Sequence, residues 1–109
     1  MIVAFVQFPM GDVSPHEMKE RYRSTASKYQ KVVGLIRKYY LLSEDRKNAG
    51  GLYLFESRES AEKLYTPEWS EYIKNFYGAE PVVEYFECPL VVDNLSGEIR
   101  TAEVEGRVS

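Results

Sequence analysis

Two runs of strand-forming residues meet in a hairpin over Leu35–Glu56, with an amphipathic helical stretch before it and another after it. The apolar runs Ile2–Phe8 and Pro81–Leu90 complete a β-α-β-β-α-β order. Two β-α-β units fused through a hairpin predict an α+β fold of the ferredoxin-like kind. In it a four-stranded antiparallel sheet carries both helices on one face. At 109 residues the chain has room for one domain and not for two.

Local signals agree with that order. In Ser14-Pro15-His16-Glu17 the Ser14 hydroxyl can accept from the N–H of Glu17, whose carboxylate can reach back to Ser14. Pro15 takes the first helical position, where its missing N–H costs nothing. Met18, Tyr22, Ala26, Tyr29 and Val33 then recur at spacings of four or three, which predicts an apolar stripe closed by Gly34. In the next strand Arg37 and Lys38 are adjacent, so alternation sends them to opposite faces. The polar stretch Glu44–Ala49 returns through Gly50-Gly51, which predicts a hairpin with a bulge. Ser57 caps a short helix carrying Ala61, Leu64 and Tyr65. Thr66-Pro67-Glu68 repeats the start signal, so this helix is broken or kinked before Trp69, Tyr72, Ile73 and Phe76. Pro81 and Pro89 flank the last strand and suit a sheet edge.

Strands one, two and four carry apolar residues at successive positions, hence on both faces. A bare face with Val6, Tyr40, Leu54 and Phe86 would be an apolar patch in need of cover. The simplest cover is the same sheet of a second copy, which predicts a homodimer, a dimeric α+β barrel. The polar stretch from Asp93 to Ser109 has only Leu95, Ile99, Val104 and Val108 as anchors. The expected organisation is a domain over 1–93 and a C-terminal arm over 94–109 that extends across the partner.

Charge is uneven along the chain. Residues 1–50 balance at +4 and residues 51–109 at −7, giving the net −3. A basic first helix within an acidic whole, without a nucleic-acid motif, reads as a solvated face and predicts no nucleic-acid partner. No apolar run is long enough for a membrane span, and Ile2–Phe8 lacks the flanks of a signal peptide. With the lone Cys88, these features predict a reducing, cytoplasmic setting.

Overt catalytic motifs are missing. There is no Gly-rich phosphate loop, no Cys-x-x-Cys, no His-x-x-x-His and no Rossmann fingerprint. One His and one Cys do not make a metal site. His16 reads as a surface histidine in a first helical turn, or as an acid or base near neutral pH. Trp69 is a cavity wall or plain core. Lys38, in mid-strand among aromatics, must snorkel to an edge, pair with a carboxylate such as Glu84, or point into a polar pocket.

The strings Gly34-Leu35-Ile36-Arg37-Lys38-Tyr39-Tyr40, Ser43-Glu44-Asp45, Gly50-Gly51-Leu52-Tyr53-Leu54-Phe55-Glu56-Ser57 and Pro81-Val82-Val83-Glu84-Tyr85-Phe86 resemble the YdhR-type monooxygenase family of the dimeric α+β barrel superfamily. The resemblance covers roughly residues 1–93. It implies a homodimer with a cavity between helices and sheet in each subunit. It also implies oxidation of a small aromatic or quinol-like compound by O₂, with no metal, flavin or other cofactor. In such chemistry the deprotonated substrate supplies the electrons, and the protein supplies an apolar pocket with a few polar residues. On this reading Lys38 is the catalytic residue that stabilises the substrate anion, while Tyr53, Trp69, Tyr65 and Tyr22 bind the ring. The Asn–Trp–His set of haem-degrading relatives is not reproduced: Tyr65 stands one turn before Trp69, and the sole His16 is on the first helix. Two rivals share the cavity, a non-catalytic dimeric binder of a small ligand and an isomerase or lyase on the same fold.

Overall fold

A computed structural model describes residues 1–104. In chain order it contains β1 (Ile2–Pro9), α1 (Pro15–Tyr29), β2 (Leu35–Leu42), β3 (Asn48–Phe55), α2 (Arg58–Leu64), α3 (Pro67–Tyr77), β4 (Val82–Glu87), β5 (Leu90–Asp93) and β6 (Glu98–Thr101). The first four-stranded sheet runs β2-β3-β1-β4 with every neighbouring pair antiparallel. This is the ferredoxin-like plan, with the proline-flanked β4 at an edge.

The helix starts form where the sequence places them. The Ser14 hydroxyl accepts from the N–H of Glu17 at 3.1 Å, but the Glu17 carboxylate turns to Arg21 instead of closing the capping box. Thr66 caps α3 in the same way and Gly78 ends it in the left-handed conformation, so the expected break gives two separate helices. The first helix ends earlier than its stripe predicts. Turn-type hydrogen bonds replace the helix after Tyr29, and Val33 is 89% exposed. The bulge also moves: it lies between Leu35 and Arg37, while the loop before β3 is braced by the Asp45 carboxylate, which accepts from Ser43 Oγ and the N–H of Lys47.

Ile2, Ala4, Val6 and Phe8 of β1 form the core with Tyr53 and Phe55 of β3, Met18, Tyr22 and Tyr29 of α1, and Trp69, Ile73 and Tyr77 of α3. Val6 therefore faces the helices. So does Tyr40, whose hydroxyl meets Thr25 of α1. The expected bare face is corrected accordingly. Val6 belongs with the even-numbered β1 positions, and Tyr40 with Lys38 and Leu42. The uncovered face instead carries Val3 and Phe5, paired in register with Leu54, Leu52, Phe86 and Glu84, and beyond them Tyr39 and Leu41. Tyr39, Leu41, Val82 and Phe86 are exposed there.

The last predicted strand stops at Glu87, and Leu90 opens a separate hairpin, β5–β6, across the expected boundary at 93/94. Asp93 ties this hairpin to the open face through Arg37 at 2.7 Å. Between hairpin and sheet lies a cavity of about 370 Å³, lined in part by Val3, Tyr39, Leu54 and Val92. Residues 94–104 of the expected arm thus begin as a turn and a strand, while its last anchor, Val108, lies outside the described residues.

Candidate functional site

The helix-facing side of β2 presents Lys38, Tyr40 and Leu42 toward α1. Lys38 stands opposite Tyr53 of β3, and Tyr40 stands opposite Gly51. A Cβ on Gly51 would lie 3.0 Å from the Tyr39 carbonyl oxygen, 3.1 Å from a Tyr53 ring carbon and 3.5 Å from Lys38 Cε. The glycine therefore leaves a lane that the lysine stem and the Tyr53 ring occupy together.

Lys38 Nζ ends inside a cage of three rings, 3.2 Å from the Tyr29 centroid, 3.9 Å from Tyr40 and 4.6 Å from Tyr53. No carboxylate pairs with it among the described residues. The expected partner Glu84 lies on the other sheet face and on the opposite edge strand. Two effects oppose each other here. The ring faces attract an ammonium, by about 0.5–2 kcal/mol each. Burial removes its water at a cost of several kcal/mol. Burial is the larger, and with the positive Lys28 adding to it, the Lys38 ammonium falls from 10.5 to about 6.

The phenols move the other way. Burial pushes Tyr22 up to about 12 and raises Tyr40, Tyr53 and Tyr65 as well. Near neutral pH the cluster therefore holds protonated tyrosines around an amine that is mostly uncharged. That split leaves Lys38 able to accept a proton and the phenols able to donate a hydrogen bond.

The cage is braced from behind. Thr25 Oγ1 donates to the Tyr22 carbonyl at 2.9 Å, which leaves it to accept from the Tyr40 hydroxyl at 2.8 Å. Trp69 Nε1–H donates to Tyr29 Oη at 3.1 Å. Tyr65 meets Trp69 edge-on with centroids 4.7 Å apart and Tyr53 at 5.5 Å, and its buried hydroxyl has no partner among the described residues. The Tyr22 hydroxyl donates to the Leu41 carbonyl at 2.8 Å and accepts from the Gly50 N–H at 3.0 Å.

Two cavities open along the groove between α1 and β2. One of about 450 Å³ is lined in part by Tyr29, Leu35, Lys38 and Tyr40. The other, about 560 Å³, is lined in part by Pro15, His16, Tyr22 and Leu42. Ala26 and Tyr40 belong to both walls. Of the residues predicted for the site, Lys38 and Tyr22 reach the groove. Tyr53, Tyr65 and Trp69 line neither of these cavities, because α2 and α3 close over them: Tyr53 is 3% and Trp69 6% exposed. In this structure they stand behind the cage and not in the groove wall. The cage rings that sequence reasoning did not single out are Tyr29 and Tyr40. Both carried a signal, Tyr29 as the stripe residue two turns after Tyr22, and Tyr40 as the next same-face neighbour of Lys38. His16 is exposed at the groove's outer end.

Among the described residues no group of three His, Cys, Asp or Glu could hold a metal ion, and no helix is long and apolar enough to cross a membrane.

The profile of the family described as "Putative mono-oxygenase ydhR" matches residues 3–96. No curated protein matches the sequence. Solved structures share the fold at low identity. A putative antibiotic biosynthesis monooxygenase from Deinococcus radiodurans is 7% identical, with TM-score 0.66 over 85% of this chain and 97% of that one. One from Nitrosomonas europaea is 16% identical, with TM-score 0.61 over 81% and 98%. SnoaB of Streptomyces nogalater, a cofactor-independent oxygenase, is 16% identical, with TM-score 0.58 over 80% and 92%.

Proposed function

The chain belongs to the ydhR mono-oxygenase family, and from that premise we propose that it is a cytoplasmic, homodimeric, cofactor-independent monooxygenase of small phenols or quinol-like compounds. The observation that carries the reading is Lys38: a partly buried amine with no carboxylate partner among the described residues, caged by rings and set in the wall of a groove.

The substrate ring lies in the groove against Tyr29 and Tyr40, its hydroxyl toward Lys38. The neutral amine takes the hydroxyl proton, and the resulting ammonium stays beside the phenolate it has made. Three ring faces and the phenolate charge offset part of what that cation loses on burial. The electron-rich anion reduces O₂, and a carbon–oxygen bond forms at the ring carbon opposite the original hydroxyl. Loss of water from that hydroperoxide, taking the hydrogen of the same carbon, leaves a quinone. Phenol plus O₂ gives quinone plus water, with all four electrons drawn from the substrate.

The open sheet face with Tyr39, Leu41, Val82 and Phe86 exposed supports pairing with a second copy. In that dimer the β5–β6 hairpin, with Leu90, Val92, Leu95 and Ile99 exposed, reaches to the partner. Deleting residues 95–109 then weakens the dimer in sedimentation.

The test is oxygen uptake with 1-naphthol as probe. One O₂ is consumed per quinone formed, and kcat/KM rises as pH passes up through about 6, because the protonated amine below that value accepts nothing. Quenching of Trp69 fluorescence by 1-naphthol without oxygen uptake would make the protein a non-catalytic binder.

A further inference from the structure

We propose that the α1–β2 groove takes a two-ended ligand, an aromatic hydroxyl end at Lys38 and an organic acid end, a carboxylate or sulfonate, held by Lys19 and Arg23. This rests on the reading above, which places the reacting ring at Lys38. It adds what the far end of the substrate must be.

The two cavities share Ala26 and Tyr40, so they are successive sections of one groove. The outer section has an apolar floor, and its rim is His16, Lys19 and Arg23, spaced three and four apart on one face of α1. Among the described residues neither section has an Asp or Glu in its wall. That is unexpected in a chain of net charge −3. Of the α1 carboxylates, Glu17 pairs with Arg21 at 3.2 Å, while Glu20 reaches Arg23 only at 4.0 Å, the longest ion contact described, so an incoming acid competes with a weak contact there. Lys19 has no ion pair among the described residues.

An apolar floor under a cationic rim, with no carboxylate lining the groove among the described residues, is complementary to an amphiphilic anion. Six helical steps separate Arg23 from Tyr29, roughly 9 Å along the axis at 1.5 Å each. That is the reach of about two fused rings bearing an acid group. A solvated rim of this kind contributes steering and preference more than raw affinity.

Two fluorescent probes test it on the full-length protein, 8-anilino-1-naphthalenesulfonate and N-phenyl-1-naphthylamine, which differ by the sulfonate. The expected result is at least tenfold tighter binding of the sulfonate at low salt, with the preference fading as salt rises. The double variant Lys19→Gln/Arg23→Gln, at two exposed positions, abolishes that preference while circular dichroism is unchanged. Ala26→Trp, which fills the shared wall from the exposed side of α1, weakens both probes. Equal affinity for the two probes in the wild type overturns the proposal. So does a sulfonate preference that survives the double variant, or sulfonate binding indifferent to Ala26→Trp, which would place it elsewhere. Equal affinities together with intact 1-naphthol oxidation overturn the acid end alone. If neither probe binds and 1-naphthol consumes no oxygen, the function reading falls with it.

Discussion

Arg37 and Lys38 are neighbours on one strand and send their side chains to opposite faces of the sheet, although both residues contribute to the inner section of the groove. Arg37 points to the open face, where it stays largely solvated and reaches Asp93 at 2.7 Å. Lys38 points under α1, loses its water and meets ring faces instead of a carboxylate. Two basic side chains one residue apart thus differ in state. The first is a cation in an ordinary ion pair that tethers a hairpin, and the second is an amine that burial drives toward its neutral form. The difference comes from burial and from what each side chain finds, not from residue type.

The largest effect expected from breaking this contrast is on turnover. Lys38→Met removes the base and lowers kcat/KM for 1-naphthol oxidation about hundredfold, within the usual range for a general base. Arg37→Met, measured beside it, leaves kcat/KM within a factor of two. Equal losses in the two variants would erase the distinction.

The open face yields the next largest effect. Phe86 is half exposed there, and Phe86→Lys places a charge where the proposed partner sheet packs. The dimer dissociation constant, followed by analytical ultracentrifugation, rises thirtyfold or more, about 2 kcal/mol. A wild-type chain that is already monomeric at micromolar concentration would remove this interface altogether.

Stability sharpens the comparison further. In the unfolded chain a lysine keeps its proton to about pH 10.4, whereas folded Lys38 releases it near 6. Between those values the unfolded state binds more protons, so wild-type stability rises with pH across that window. Lys38→Met removes the dependence. Its stabilisation in urea melts is greatest near pH 6 and fades toward pH 10. A gain that grew with pH would contradict the depressed value.

The smallest effect belongs to the exposed pair. Arg37→Met costs under about 1 kcal/mol in the same melts, and less at high salt.

Much of this was legible before any coordinates. The order of elements follows from caps, prolines and periodicity, and strand alternation alone separates Arg37 from Lys38. The parity of the sheet was not legible. Val6 and Tyr40 look as suited to a bare face as Leu54 and Phe86, because each strand is apolar on both sides. Only the packing of α1 on Tyr40 and of the core on Val6 decides it. The end of α1 was misjudged for a similar reason. Val33 continues the stripe numerically, but the turn into β2 carries it out to solvent. The cage was half visible, since Lys38 stood out as the misplaced charge. Its closest ring, Tyr29, comes from another element and is brought there only by the approach of α1 to β2. Trp69 drew notice as the sole tryptophan, yet its part is to donate to Tyr29 from behind.

Gly51 has a consequence for how this protein can change over generations. Its bare Cα leaves room for the stem of Lys38, with a would-be Cβ only 3.1 Å from the Tyr53 ring and 3.5 Å from Lys38 Cε. An alanine there presses on the ring and on the Tyr39 carbonyl oxygen at 3.0 Å, while its distance from Lys38 Cε is ordinary contact. Loss of the amine in a lineage therefore does not by itself open position 51 to a larger residue, which stays tied to the Tyr53 ring and to the backbone of the neighbouring strand.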